Sequence, residues 1–301
     1  MRGPVRYGTA EGKECTINTA ATLPGLSPQQ QHLVHSWLPG AVLVADMSWG
    51  LVDTAVLHLR TGAGQVIVKA HGADNHHFPR ELKAHREWLA PLRSRGAAAP
   101  LLHSDEHARI LVTEYLPGEL VQGHPREADP DAYRQAGALL AALHEQDRRT
   151  DAEFNHARLH QALRWLDGDH RIPPETEQRL RQVLAGHPTD PVVTVPTHGD
   201  YQPRNWLTHD GDVAVIDFGR AGWRPPQTDL ARLAAQQFRT DPDLATAFYD
   251  GYGSDPRDAH SWQYVQLTEA IATAAWAYLV RDKAFEAQGH RMIAEALTHV
   301  D

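Results

Sequence analysis

The hydrophobic pattern of this chain changes period at one place, and that change limits the folds open to it. Between residues 38 and 115 the apolar residues fall into short strand-like groups: 41–44 (AVLV), 54–59 (TAVLHL) and 66–68 (VIV), the last ending at Lys69. Alternation and branched side chains predict strands, and Thr61-Gly62-Ala63-Gly64 between the last two groups predicts a hairpin. Residues 78–92 switch to helical spacing, with Leu82, Trp88, Leu89 and Leu92 on one face and Pro79 suited to the first turn. Residues 110–112 return to strand, and Pro117-Gly118 ends the pattern. Beyond that break the chain reads as helices over 133–144, 157–166, 174–184, 228–238, 243–249, 265–280 and 284–297. The expectation is an α+β chain with a polar arm (1–20), a β-sheet-plus-helix lobe (21–113), a hinge (114–118) and a mainly helical lobe (119–301).

Composition narrows the function. The 301 residues are 42% hydrophobic and 22% charged, as in a folded soluble protein, and no apolar run approaches membrane-spanning length. The first twenty residues carry no apolar stretch like that of a secretory leader. The lone Cys15 allows no intrachain disulfide, which fits a cytoplasmic location. A net charge of -9 without a basic stripe argues against nucleic-acid binding. The histidines of HGADNHHFPR match no closed metal site.

The chemistry is concentrated in residues 197–219, THGDYQPRNWLTHDGDVAVIDFG. Asp200, Asn205 and Asp217 are the side-chain types that phosphoryl transfer from Mg-ATP requires. One carboxylate orients and deprotonates a hydroxyl, while an amide and a second carboxylate hold magnesium against the phosphates. His209-Asp210-Gly211-Asp212 predicts a hairpin tip that returns Asn205 and Asp217 to the same end. Gly199 permits the sharp turn needed to present Asp200, and His198 reads as a packing or backbone-bonding residue. A cation over the non-reacting phosphates is also required. Lys69 at a strand end suits this role, with Glu81 twelve residues on to hold it and Glu87 as the weaker alternative.

HGDYQPRN followed by VIDFGRAGWRPPQTDLARL resembles the signature of the aminoglycoside phosphotransferase family, relatives of choline kinase with a protein-kinase-like fold. GALLAALH (137–144), VIVKA around Lys69 and RELKAHREWL around Glu81 extend the likeness over residues 38–295. The resemblance implies a catalytic base at Asp200, magnesium ligands at Asn205 and Asp217, a phosphate-binding lysine at Lys69 and its ion-pair partner at Glu81. It implies that Thr113, Glu114, Tyr115 and Leu116 read adenine with backbone groups and that Asp229, with His198, supports the catalytic loop. The nucleotide loop would be residues 48–53, with Gly50 its one glycine, short of the full glycine pattern of protein kinases. His-Gly-Asp replaces the kinase His-Arg-Asp, and Asp229 follows Phe218 by eleven residues, leaving little room for a peptide platform.

The expected function is an ATP- and Mg²⁺-dependent phosphotransferase acting on a hydroxyl of a small molecule. An antibiotic such as an aminoglycoside leads, as the acceptor the resemblance most often implies; the alternatives are a metabolite kinase for choline, an amino-acid alcohol or a sugar, and a nonenzymatic nucleotide-binding regulator. Glu269 and Asp282 are candidates to meet an amine, and Trp223, Trp262, Trp276 and Tyr278 to stack on a ring.

Overall fold

The computed structural model describes residues 22–48 and 53–298; the arm expected over residues 1–20 and Gly50 lie outside the described residues. The first element is helix α1 (Pro28–Trp37), where the sequence reading places no helix. Its signal was present: the Ser27 Oγ accepts from the Gln30 N–H while the Gln30 side chain accepts from the Ser27 N–H, a capping box with Pro28 in the first turn. Gln30 is buried and donates to the carbonyl oxygens of His71 and Ala108, which fixes α1 to the sheet behind it.

That sheet has five antiparallel strands, β1 (Val42–Asp46), β2 (Thr54–Thr61), β3 (Gly64–His71), β4 (Leu101–Asp105) and β5 (Ile110–Glu114), in the order β1-β2-β3-β5-β4. The expected hairpin joins β2 to β3, with Thr61 paired to Gly64. Side chains alternate across the sheet. Leu57, Leu59, Val66, Val68, Ile110 and Val112 bury one face against Val34 and Leu38 at the α1 side. Each such burial contributes about 1.5–3 kcal/mol. Val56, Ile67, Lys69, Leu111 and Thr113 are therefore left on the opposite face, which lines a cavity.

Between β3 and β4 lie α2 (Phe78–Glu87) and α3 (Ala90–Arg93). The single helix expected over 78–92 is split because Pro91 cannot continue α2 and instead starts a new turn. Ala84, Trp88 and Leu89 join the core of the second lobe beside Tyr133, Trp206 and Phe218, so α2 is packed against both lobes.

The second lobe contains β6 (Glu119–Leu120), α4 (Pro130–His144), β7 (Arg149–Asp151), α5 (Phe154–Asp167), α6 (Pro174–Leu184), β8 (Val192–Thr197), β9 (Trp206–His209), β10 (Asp212–Val215) and β11 (Gly222–Arg224). It ends with α7 (Ala231–Ala235), α8 (Gln237–Thr240), α9 (Pro242–Tyr252), α10 (Trp262–Leu279) and α11 (Lys283–Leu297). Two small sheets, β10-β9-β6 and β11-β8-β7, lie among these helices. The architecture is thus the expected sheet-plus-helix lobe followed by a mainly helical one. Residues 228–238, expected as one helix, form a 3-10 turn from Pro226 to Leu230, then α7 and α8. Pro225 and Pro226 lack N–H groups, and Gln236 has non-helical backbone angles. The β9–β10 turn is Asp210-Gly211, both at positive φ, as the Asp-Gly pair predicts. No described helix is long and apolar enough to cross a membrane.

Candidate active site

Lys69 faces the cleft because Val68 and Ala70 on either side of it face the core. Its Nζ lies 2.6 Å from Glu81 Oε1 and 3.4 Å from Asp217 Oδ1. Burial acts to lower the Lys69 pKa, but the two carboxylates outweigh it and hold the amine cationic above its ordinary range. Glu81 sits in the first turn of α2 and is buried, whereas Glu87 pairs with Lys83 on the exposed face. His71 and His85 flank Glu81, and burial pushes each imidazole down to about 4.

A cavity of about 210 Å³ adjoins this cluster. Val56 and Ile67 wall it from the first lobe, Leu120, Leu207 and Ile216 from the second, and Thr113, Glu114, Tyr115 and Leu116 line its margin. Lys69 pairs with Leu111 and Val66 with Glu114. Three residues at about 3.3 Å each separate the lysine from the hinge by roughly 10 Å. The Tyr115 N–H donates to the Gln65 carbonyl and its ring stacks on His58, whereas the Leu116 N–H donates to no described residue.

The loop between β8 and β9 supplies the opposing groups. Gly199 has φ +80°, and a Cβ there would lie 2.2 Å from the Arg220 carbonyl oxygen, so only glycine fits. The buried Asp229 accepts from the N–H groups of His198 (2.8 Å) and Gly199 (2.6 Å) and from His144 Nε2 (3.1 Å). Burial would raise its pKa; the His144 hydrogen bond and the neighbouring imidazoles outweigh this and hold it below the ordinary carboxyl range. His198 Nε2 donates to the Ile216 carbonyl, and its Nδ1 accepts from the Asp200 N–H. His198 thus ties the loop carrying Asp200 to the strand end preceding Asp217.

Asn205 Nδ2 donates to the Asp200 carbonyl at 2.8 Å, which leaves Oδ1 without a donor among the described residues. The Ile216 N–H donates to the Asn205 carbonyl, so the hairpin returns Asn205 beside the residue before Asp217. Asp217 adopts the left-handed conformation at φ 65°, sparsely populated by non-glycine residues. Its carboxylate is 54% exposed, and the Lys69 ammonium beside it holds its pKa below the ordinary carboxyl range. A free amide oxygen and an open carboxylate suit a hard divalent cation.

Asp200 is 5% exposed and heavily engaged. Gln202 Nε2 reaches its Oδ1 at 2.5 Å, Arg204 reaches its Oδ2 at 2.5 Å, and Arg232 also bonds Oδ1. Burial would raise its pKa, but Arg232, Arg204 and Arg220 outweigh that and keep it well below the carboxylate range. Sequence reasoning assigned no role to these arginines, to Gln202 or to His144, although all of them stand inside the motifs it used. Nothing in a linear pattern says which arginine turns toward a carboxylate.

The residues considered for an acceptor pocket are otherwise occupied. Glu269 pairs with Arg232 at 2.9 Å, and Asp282 caps α11. Trp223 packs edge-on against Trp88 with Arg149 over its ring, Trp262 and Tyr278 lie beneath Arg257 and Arg171, and Trp276 meets Phe285. None of them lines the cavity beside Lys69.

A model of the "Phosphotransferase enzyme family" matches residues 48–263. No curated protein matches the chain in sequence. Among solved structures, aminoglycoside phosphotransferase APH(4)-Ia is similar at 14% identity and a TM-score of 0.65, over 90% of this chain and 97% of that one. The choline kinase LicA from Streptococcus pneumoniae is similar at 17% identity and 0.63, over 89% and 97%. Macrolide 2'-phosphotransferase MphH from Brachybacterium faecium is similar at 19% identity and 0.57, over 83% and 90%.

Proposed function

The chain belongs to the phosphotransferase enzyme family, and from that premise we propose that it transfers the γ-phosphoryl group of ATP to a hydroxyl of a small molecule in a Mg²⁺-dependent reaction. The observation that carries this reading is the bridge from Lys69 to both Glu81 and Asp217, beside a loop in which Asp200 and Asn205 are bonded to each other. A thermostable mutant of the related APH(4)-Ia is known in complex with AMP-PNP and hygromycin B, which supports a nucleotide in this cleft.

On this reading the hinge residues Thr113 to Leu116 hold adenine, with the free Leu116 N–H as a donor, and Lys69 meets the non-reacting phosphates. Asn205 Oδ1 and the Asp217 carboxylate would hold Mg²⁺, which neutralises charge on the phosphates when bound. Asp200 aims the acceptor hydroxyl. As the new oxygen–phosphorus bond forms and the bond to the β-phosphate oxygen breaks, the hydroxyl proton passes to Asp200 and ADP leaves. The strongly acidic Asp200 takes that proton late, so its position contributes more than its basicity. Asp229, through the N–H groups of His198 and Gly199, holds the loop in place. Gly50 belongs to the segment proposed to cover the phosphates.

The acceptor stays open between an antibiotic such as an aminoglycoside and a metabolite. Incubation with ATP and Mg²⁺ against hygromycin B, a macrolide, choline, sugars and sugar acids, read by mass spectrometry, tests the reaction. Phosphorylated product with native protein and none with Asp200→Ala is expected. Equal product from both proteins would overturn the assignment.

A further inference from the structure

Two guanidinium groups, Arg204 and Arg232, contact Asp200, and a third, Arg220, is near enough for its charge to act on that carboxylate. Arg204 comes from the turn before β9, Arg220 from the turn after Asp217, and Arg232 from α7. Their own partners are few. Arg232 is held by Asp200 and Glu269 together. Arg204 pairs with one oxygen of Asp200 and with no other carboxylate among the described residues. The Arg220 side chain makes no hydrogen bond or ion pair with any described residue, yet it is only partly exposed and feels the charges of Arg232 and Arg204 as well as those of Asp200 and Glu269. Arg158 adds a fourth cation, bonded to Gln161 and Thr268 and drawn electrostatically to the same Glu269.

Four cations thus share two carboxylates, Asp200 and Glu269. Crowded like charges in a partly buried place are costly unless another anion joins them. A guanidinium presents a planar fork that fits the two oxygens of a carboxylate or phosphate. A polycationic or quaternary-ammonium acceptor would meet repulsion here, whatever the fold's other members take.

We infer that the acceptor of this enzyme carries an anionic group, a carboxylate or a phosphate, seated by Arg204 and Arg220 with its hydroxyl turned toward Asp200. This rests on the phosphotransferase reading above and narrows its substrate class. Drawing Arg204 onto the acceptor also frees Oδ2 of Asp200 for the hydroxyl, so the same contact that selects the acceptor uncovers the base.

The test is calorimetric titration of inorganic sulfate, and separately of spermidine, into the full chain saturated with AMP-PNP and Mg²⁺. Saturable sulfate binding is expected, with affinity falling at least fivefold in Arg204→Gln and in Arg220→Gln while AMP-PNP affinity changes less than threefold. Spermidine binding without sulfate binding overturns the inference, as does sulfate binding indifferent to both substitutions or sulfate that displaces AMP-PNP. The wild-type titration alone decides between cation and anion should either variant fold poorly. Failure of AMP-PNP and Mg²⁺ to bind at all would instead remove the phosphotransferase reading, and the inference with it.

Discussion

The carboxylate of Asp229 and the peptide N–H of Gly199 are 2.6 Å apart, across thirty residues of sequence. With the His198 N–H bonded to its other oxygen, Asp229 fixes both peptides that precede Asp200. The candidate base therefore owes its position to a buried carboxylate that belongs to a separate turn.

Asp229→Asn should lower kcat by about 10²-fold, because an amide has one acceptor oxygen for donors that now use two and misaimed groups lose rate steeply. KM for ATP should change little, since Asp229 lies behind the loop. Each lost charge-assisted hydrogen bond costs about 1.5–3 kcal/mol, so the urea midpoint should fall as well. Steady-state kinetics with denaturation of the same protein checks both, and a rate within threefold of native would refute the bracing role.

Glu81→Gln should act on the nucleotide side. The 2.6 Å contact to Lys69 loses its charge while Asp217 remains at 3.4 Å, leaving the lysine drawn to one carboxylate. KM for ATP should rise about tenfold, equivalent to about 1.4 kcal/mol, with a smaller change in kcat. A KM for ATP equal to that of the native protein would remove Glu81 from the nucleotide site.

Arg232→Gln should change how rate depends on pH. Arg232 is the strongest charge holding the Asp200 pKa down against burial. Without it burial acts less opposed, the pKa rises, and the acid limb of kcat/KM should move to higher pH. In the native protein Asp200 stays ionised throughout the range above the ordinary carboxyl value of about 4. An acid limb unmoved by the substitution would show that another group sets it.

Stability should fall on mild acidification. His71 and His85 titrate at about 4 in the folded protein, against about 6.5 when unfolded. Between those values the unfolded chain binds the extra protons, so stability is fully present above about 6.5 and is lost as pH falls toward 4. Each histidine contributes up to about 1.4 kcal/mol per pH unit in that window. Thermal melting between pH 7 and 5 measures the slope, and His85→Gln should make it shallower.

The two-lobed plan was legible because it follows from side-chain period. Alternation around Lys69 sends Val68 inward and Lys69 outward whatever surrounds the sheet. Asp210-Gly211 closes its hairpin for equally local reasons, the need for positive φ at both residues. Local pattern failed where a contact was distant or a break was subtle: α1 was missed despite its capping box, and the helix over residues 228–238 was drawn unbroken.

By itself, then, the sequence determined that Asp200, Asn205 and Asp217 come together in the cleft, since they sit on one short loop and hairpin whose closure is local. Only the tertiary structure decided what surrounds them. Arg232 meets Asp200 across 32 positions and His144 meets Asp229 across 85. An arginine is long enough to turn to solvent or inward, and the choice is set by which buried carboxylate the packed helices leave within its reach. That choice sets Arg204 and Arg232 together against Asp200, a grouping no residue in the chain specifies alone.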